Sequence, residues 1–238
     1  METSLINNHL GNGTNSHTES ALGNRFLRNK DLIDQRVLDK ATIIGAGGIG
    51  SSLIRCAAIM GFRELTIWDY DTLEEHNLST TTFSEEFLGK PKAETARIIA
   101  HRYGCENPVA KNQPWSTGQP LENIVFMCPD NMEVRMAIYR SWSQLPDRKL
   151  LVDMRMGALT MEIITVTKEY DSFRESWQPS KDIPDEECTA KHTIFTGSLS
   201  SGTGLSQAFQ VLNNRPYYAY IWMSLAPVSL KREKLVIQ

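Results

Sequence analysis

The sequence runs to 238 residues, enough for one α/β domain with at most a small appended subdomain. Hydrophobic residues make up 41% of it and charged residues 22%, the proportions of a globular chain that can bury a substantial core. Its 25 Lys and Arg against 28 Asp and Glu leave a formal net charge of −3, which disfavours nucleic acid as a bulk electrostatic partner.

Residues 1–22 are rich in Asn, Gly, Thr, Ser and His and too poor in apolar residues to order themselves, so a disordered polar tail is expected there, with one domain over 23–238. Leu32, Ile33, Val37 and Leu38 fall at helical spacing and predict a short amphipathic helix within 30–40. Ala41-Thr42-Ile43-Ile44 reads as a buried strand that stops at Gly45-Ala46-Gly47-Gly48-Ile49-Gly50. Residues 51–60 carry Leu53, Ile54, Ala57 and Ala58 on one helical face, and Gly61 is a plausible stop. A second strand, Glu64-Leu65-Thr66-Ile67-Trp68, ends at Asp69. Together they form a strand–Gly-loop–helix–strand unit, half of a doubly wound fold.

The alternation goes on with a helix over 91–103, a strand over 124–128 and a helix over 132–145. Strands are expected at 150–153 and 161–167, and a closing helix at 194–212 despite its Gly and Ser content. Residues 170–188 are polar, with Pro179 and Pro184, and read as a long exposed crossover loop before that helix. The predicted fold is α/β: a doubly wound, Rossmann-like, mostly parallel sheet with helices on both faces. No apolar run could span a bilayer and no signal-peptide hydrophobic region is present, so a cytoplasmic location without a membrane partner is expected. The four cysteines, Cys56, Cys105, Cys128 and Cys188, form no C-x-x-C pair; reduced thiols are expected rather than a zinc ribbon or disulfide framework.

Gly45, Gly47 and Gly50 fit G-x-G-x-x-G, with Gly48 inside the same loop. Such glycines allow a tight turn and close approach to phosphates, whose charge the helix N-terminus favours. Asp69, at the end of the next strand, is placed to accept hydrogen bonds from ribose hydroxyls. The fingerprint leaves NAD, FAD and ATP open, so an NAD-dependent oxidoreductase is one candidate.

The residues that follow, Asp69-Tyr70-Asp71-Thr72-Leu73-Glu74-Glu75-His76-Asn77-Leu78, closely resemble the D-x-D-x-V-x-x-x-N-L signature of the ThiF family. That family includes ubiquitin-activating enzymes and the sulfur-carrier adenylyltransferases of thiamine and molybdopterin synthesis. Gly89-Lys90-Pro91-Lys92-Ala93 is similar to its G-x-P-K-A segment. Cys128-Pro129-Asp130-Asn131 with Arg135 is similar to its C-T-D-N-x-x-x-R, and Arg25-Phe26-Leu27-Arg28 to its R-Y-x-R. The likeness covers about 25–212.

The resemblance implies a ThiF-type fold and ATP-dependent adenylylation, with magnesium, of the C-terminal glycine carboxylate of a ubiquitin-like or sulfur-carrier protein. It implies Lys92 as the phosphate lysine, Asp130 as the metal ligand, and Asn77 and Asp71 as nucleotide contacts. Arg28 is implied to act across a homodimer or related heterodimer. Cys188 resembles a cysteine that, in several members, takes over the activated acyl group. Neighbouring Asp185, Glu186 and Glu187 oppose its ionisation, while Lys191 and His192 could offset them, so nucleophile and inert thiol both stay open. Thr80 stands where the family carries a phosphate-contacting arginine. That departure keeps open a non-catalytic nucleotide-binding partner subunit, beside a ThiF relative acting on a non-protein carboxylate or a tRNA base.

Overall fold

The computed structural model describes residues 25–182 and 192–237. The expected tail over 1–22 and Cys188 lie outside the described residues. The chain divides into two compact units, Met1–Asp34 and Gln35–Gln238. In the first, Arg25 stacks its guanidinium 5.2 Å from the centre of the Phe26 ring. Its turns are closed by Asn29 N–H on the Phe26 carbonyl at 3.0 Å and by Leu32 and Ile33 N–H on the Asn29 carbonyl, both at 2.9 Å.

The amphipathic helix expected within 30–40 does not form. The segment consists of turns and one 3-10 turn, Gln35–Val37, and strand β1 already begins at Lys40. A helix this short cannot offset its nucleation cost without an apolar face to bury, and Leu32 stays 49% exposed.

The second unit holds one eight-stranded sheet in the order β3-β2-β1-β4-β5-β6-β7-β8. The strands are β1 Lys40–Ile44, β2 Glu64–Trp68, β3 Asn107–Lys111, β4 Ile124–Met127, β5 Leu150–Met156, β6 Thr160–Val166, β7 Tyr217–Leu225 and β8 Val228–Val236. The first five pair in parallel, with Ile43 beside Ile67 on one side and Phe126 on the other. The last three pair antiparallel. Its helices are α1 Gly48–Met60, α2 Lys92–Arg102, α3 Met132–Ser143, α4 Phe173–Ser176 and α5 Ile194–Leu212. Gly61 ends α1 in the left-handed conformation and returns its N–H to the Ala57 carbonyl.

Side chains alternate across the sheet. On one face Val125, Met127, Leu151, Ile164 and Val166 pack with Ile138, Tyr139 and Trp142 of α3 and with Phe173 of α4. On the other face α1 lies against both α2 and α5. The predicted helices on both faces are therefore present, and α5 spans the expected 194–212.

The crossover segment corrects the expectation of an exposed loop. Phe173 is wholly buried and stacks on Tyr139 at 4.4 Å between ring centres, and Trp177 donates from Nε1 to the Met132 carbonyl at 2.9 Å. Two aromatic anchors outweigh the polar composition around them. Strands β3, β7 and β8 have no counterpart in the sequence reading. Among the described residues no helix is long and apolar enough to cross a membrane.

Candidate active site

From β1 the sheet grows through β2 and β3 in one direction and through β4 and β5 in the other, so the ends of β1 and β4 open a crevice at the switch point. Gly45 leaves β1 with φ +93°, and a Cβ there would lie 2.7 Å from the Cys128 carbonyl oxygen just past β4. A Cβ on Gly50 would lie 1.9 Å from the Gly45 carbonyl oxygen. Both positions require glycine, and the loop folds back on itself tightly enough to leave main-chain groups at its surface. Gly47 then caps α1 without any side-chain hydrogen bond, so the first N–H groups of α1 are left uncapped at the end of the glycine loop.

Asp69, directly after β2, braces this loop. Its Oδ2 accepts from Ala46 N–H at 2.6 Å and its Oδ1 from Asp71 N–H at 2.8 Å. Burial pushes the Asp69 carboxyl above its ordinary value, against the pull of those two N–H donors.

Lys92 opens α2, is 8% exposed, and donates from Nζ to Asp71 Oδ2 at 2.9 Å. Its backbone N–H reaches the Asp71 carbonyl at 2.8 Å, so two bonds tie the start of α2 to the segment after β2. Lys90 is exposed, with its ammonium 5.1 Å from the centre of the Phe87 ring. The two lysines of the Gly89–Ala93 segment are thus sharply different.

Asn77 ends the 3-10 turn Glu75–Asn77 and accepts from Glu74 N–H at 3.0 Å, so its amide nitrogen is the edge it can offer an anion. Its own carbonyl receives the N–H groups of Thr80 and Thr81 at 3.1 and 2.9 Å. This folds 77–82 over the start of α1. The Thr80 carbonyl would stand 3.3 Å from a Cβ on Gly48, and Thr82 N–H donates to Ser51 Oγ at 3.1 Å. Thr80 therefore sits beside the glycine loop.

Asp130 follows β4 and is exposed, while Asn131 caps α3 by accepting from Val134 N–H at 2.9 Å. Asp71 first, then Asp130, hold the Tyr70 phenol above its ordinary value. Asp71 and Asp130 each follow a strand end, β2 and β4, on the edge of the sheet where the crevice has its mouth.

Beneath that mouth, Arg135 of α3 is buried. It ion-pairs with Asp153 of β5 and donates to the carbonyls of Pro129, Met127 (3.5 Å) and Met154 (3.1 Å). Arg155 holds the other Asp153 oxygen at 2.8 Å, reaches Glu162 at 2.8 Å, and bonds the Ser176 carbonyl at 2.8 Å. Tyr220 donates to Glu162 at 2.8 Å. Sequence reasoning used Arg135 only as part of a motif and missed Asp153, Arg155 and Glu162. The signal for them was an Asp and an Arg inside an otherwise apolar strand.

Helix α5 covers the loop from the far side with small residues. A Cβ on Gly197 would lie 2.7 Å from the Gly48 carbonyl oxygen, and one on Gly204 2.3 Å from Met154 Sδ. Ser201 donates to Ser52 at 3.0 Å. The Gly and Ser content of this helix is what permits the close approach.

Gly45, Gly47, Gly48, Gly50, Asp69, Asp71, Asn77, Lys92 and Asp130 are thus gathered around the switch point. Arg28 lies exposed in the first unit, and Cys188 is outside the described residues. Burial pushes the thiols of Cys105 and Cys128 up to about 11 and about 12, in keeping with inert cysteines.

Comparison with known proteins finds both sequence relatives and structural neighbours. Ubiquitin-like modifier-activating enzyme 5 of Drosophila virilis is 32% identical over 124 residues, covering 44% of this chain and 31% of that protein. The NEDD8-activating enzyme E1 catalytic subunit of Arabidopsis thaliana is 44% identical over 76 residues, covering 31% of this chain and 17% of that protein. The matches thus span at most about a third of these relatives. A crystal structure of PaaA has a TM-score of 0.73 at 14% identity, covering 98% of this chain and 79% of that one. One of E. coli MccB with ATP has a TM-score of 0.70 at 15% identity, covering 95% and 73%. These two show the fold. The model of the ThiF family matches residues 28–213. With more than three quarters of its length inside that match, the chain belongs to the ThiF family.

Proposed function

We propose that this chain is an adenylyltransferase that binds ATP at the switch point and activates the C-terminal glycine carboxylate of a ubiquitin-like or sulfur-carrier protein. The observation that carries the reading is the buried Lys92 at the mouth, fixed by Asp71 beside the glycine loop that Asp69 braces. The E1-type relatives and the neighbour solved with ATP support it.

In the reaction a carboxylate oxygen bonds to the α-phosphorus of ATP, the bond from that phosphorus to the bridging oxygen breaks, and pyrophosphate leaves with the electron pair. Charge grows on phosphate oxygens, where the N–H groups opening α1 and the Lys92 ammonium stabilise it. Asp69 would hold the ribose hydroxyls, and the Asn77 amide would donate to phosphate or ribose.

Among the described residues no three His, Cys, Asp or Glu side chains gather into a cage for a metal. That suits magnesium, which is commonly held by one or two carboxylates together with substrate phosphates, and Asp130 offers such a carboxylate. When bound, the ion would neutralise charge on the phosphates. Arg28 would enter the site of a second subunit in a homodimer or heterodimer. Cys188 would take the acyl group, its thiolate attacking the carbonyl carbon as AMP leaves.

Thr80 favours one alternative, a nucleotide-binding subunit that leaves catalysis to a partner, because it supplies no charge where the family has an arginine. Exchange of labelled pyrophosphate into ATP, with a carrier ending in Gly-Gly, decides between them. Exchange identifies the adenylyltransferase. ATP binding with no exchange, alone or with carrier, identifies the subunit.

A further inference from the structure

Asp153 is wholly buried, yet both of its oxygens are bound by arginines: Oδ1 by Arg135 and Oδ2 by Arg155. Its strand neighbours Leu151, Val152 and Met154 are equally buried and apolar. Burying charges carries a desolvation cost that well-packed apolar residues avoid, so cohesion of the core gives no reason for charges here. What apolar residues could not supply is the reach of the Arg135 fork. It donates to carbonyls on β4 (Met127), on β5 (Met154) and on the turn after β4 (Pro129). Pro129 immediately precedes Asp130, so the position of the Asp130 main chain is set by a hydrogen bond from Arg135. The rotamer of Arg135 is set in turn by Asp153.

We propose that Asp153, acting through Arg135, is a positioning residue for Asp130 as ligand of the divalent ion that accompanies ATP. This rests on the proposed function and deepens it. The ion's carboxylate stands on a short exposed turn, and such a ligand needs partners behind it to hold its direction. Arg155 closes off the remaining Asp153 oxygen, and its bond to Glu162, which Tyr220 donates to in turn, continues the network toward β6 and β7.

The test is calorimetric titration of the full chain with ATP, in EDTA and over a series of magnesium concentrations, with thermal unfolding run alongside. Asp153→Asn keeps the shape and removes the charge; Arg135→Lys keeps the charge and removes the fork. Both are expected to raise the magnesium midpoint for ATP binding by about tenfold or more. Affinity for ATP in EDTA should stay within about twofold. Glu64→Gln, at the end of β2 away from the crevice and paired with Lys40 in an exposed ion pair, should leave the midpoint unchanged. A folded Asp153→Asn protein with the wild-type midpoint would overturn the proposal, and if that variant does not fold, Arg135→Lys decides in the same way. Asp130→Asn separates the two levels: a wild-type midpoint in that variant removes Asp130 as the ligand and the inference with it. A shifted Asp130→Asn midpoint with an unshifted Asp153→Asn midpoint overturns the inference alone.

Discussion

Lys92 Nζ lies 2.9 Å from Asp71 Oδ2, an ion pair in which the lysine is nearly buried and the carboxylate half exposed. The pair holds the ammonium at the mouth of the crevice, while Lys90 lies out over Phe87. Lys92→Ala is therefore expected to lower pyrophosphate exchange by about a hundredfold to a thousandfold, the size of effect seen when one charge-stabilising donor is lost. Lys90→Ala should keep most of the exchange. The reverse pattern would assign the phosphate role to Lys90.

Asp69 links the same site to pH. Its carboxyl is raised above 3.8 because burial outweighs the donors Ala46 and Asp71. A raised carboxyl contributes stability that is fully present below 3.8 and is lost as the pH climbs through the folded value. Urea midpoints of wild type minus those of Asp69→Asn should accordingly fall as pH rises through that window. On acidification, ATP affinity of the wild type should begin to drop at a higher pH than an ordinary aspartate would give. The Asn variant should lack this component, and parallel pH profiles for the two proteins would dissociate Asp69 from it.

Two glycines of α5 should respond oppositely to a methyl group. Gly197→Ala drives a Cβ to within 2.7 Å of the Gly48 carbonyl oxygen in the glycine loop. It should cost about 1–3 kcal/mol in thermal unfolding and weaken ATP binding. Gly202→Ala meets nothing within 4 Å and lies in a helix interior, so it should stabilise by about 0.5–1 kcal/mol. Equal effects at both positions would refute the close packing of α5 on the loop.

Cys188→Ala should leave pyrophosphate exchange intact, because adenylate formation precedes any use of the thiol. It should abolish a carrier adduct that reducing agent cleaves on a gel. A wild-type protein that makes adenylate and never shows this adduct would leave Cys188 an ordinary cysteine.

The β1–loop–α1–β2 unit could be read directly from the sequence because its signals are local: a β-branched run, glycines, a helical stripe and a terminal Asp. Lys92 and Asp130 came from motif resemblance alone; neither spacing nor charge would have selected them from the other lysines and aspartates. Strand β3 escaped notice because it is an edge strand that carries Pro108, where proline is tolerated but gives no strand signal. Phe173 and Trp177 were hidden by polar neighbours, and their anchoring depends on α3, some forty residues earlier in the chain. The link from Asp153 to Arg135 is tertiary as well, and only the oddity of charges in a buried strand hinted at it.

The hydrogen bond between Ser52 and Ser201 joins residues 149 positions apart, and it belongs to the same packing that sets Gly197 over Gly48. A chain emerging from the ribosome has made its glycine loop and α1 long before α5 exists to cover them. Contacts so distant in sequence close late and slowly. Through most of its synthesis the chain therefore carries its glycine loop with one flank open, and the loop reaches its packed form only after α5 has docked. Over that interval the bare side of α1 is a surface for chaperones to shield.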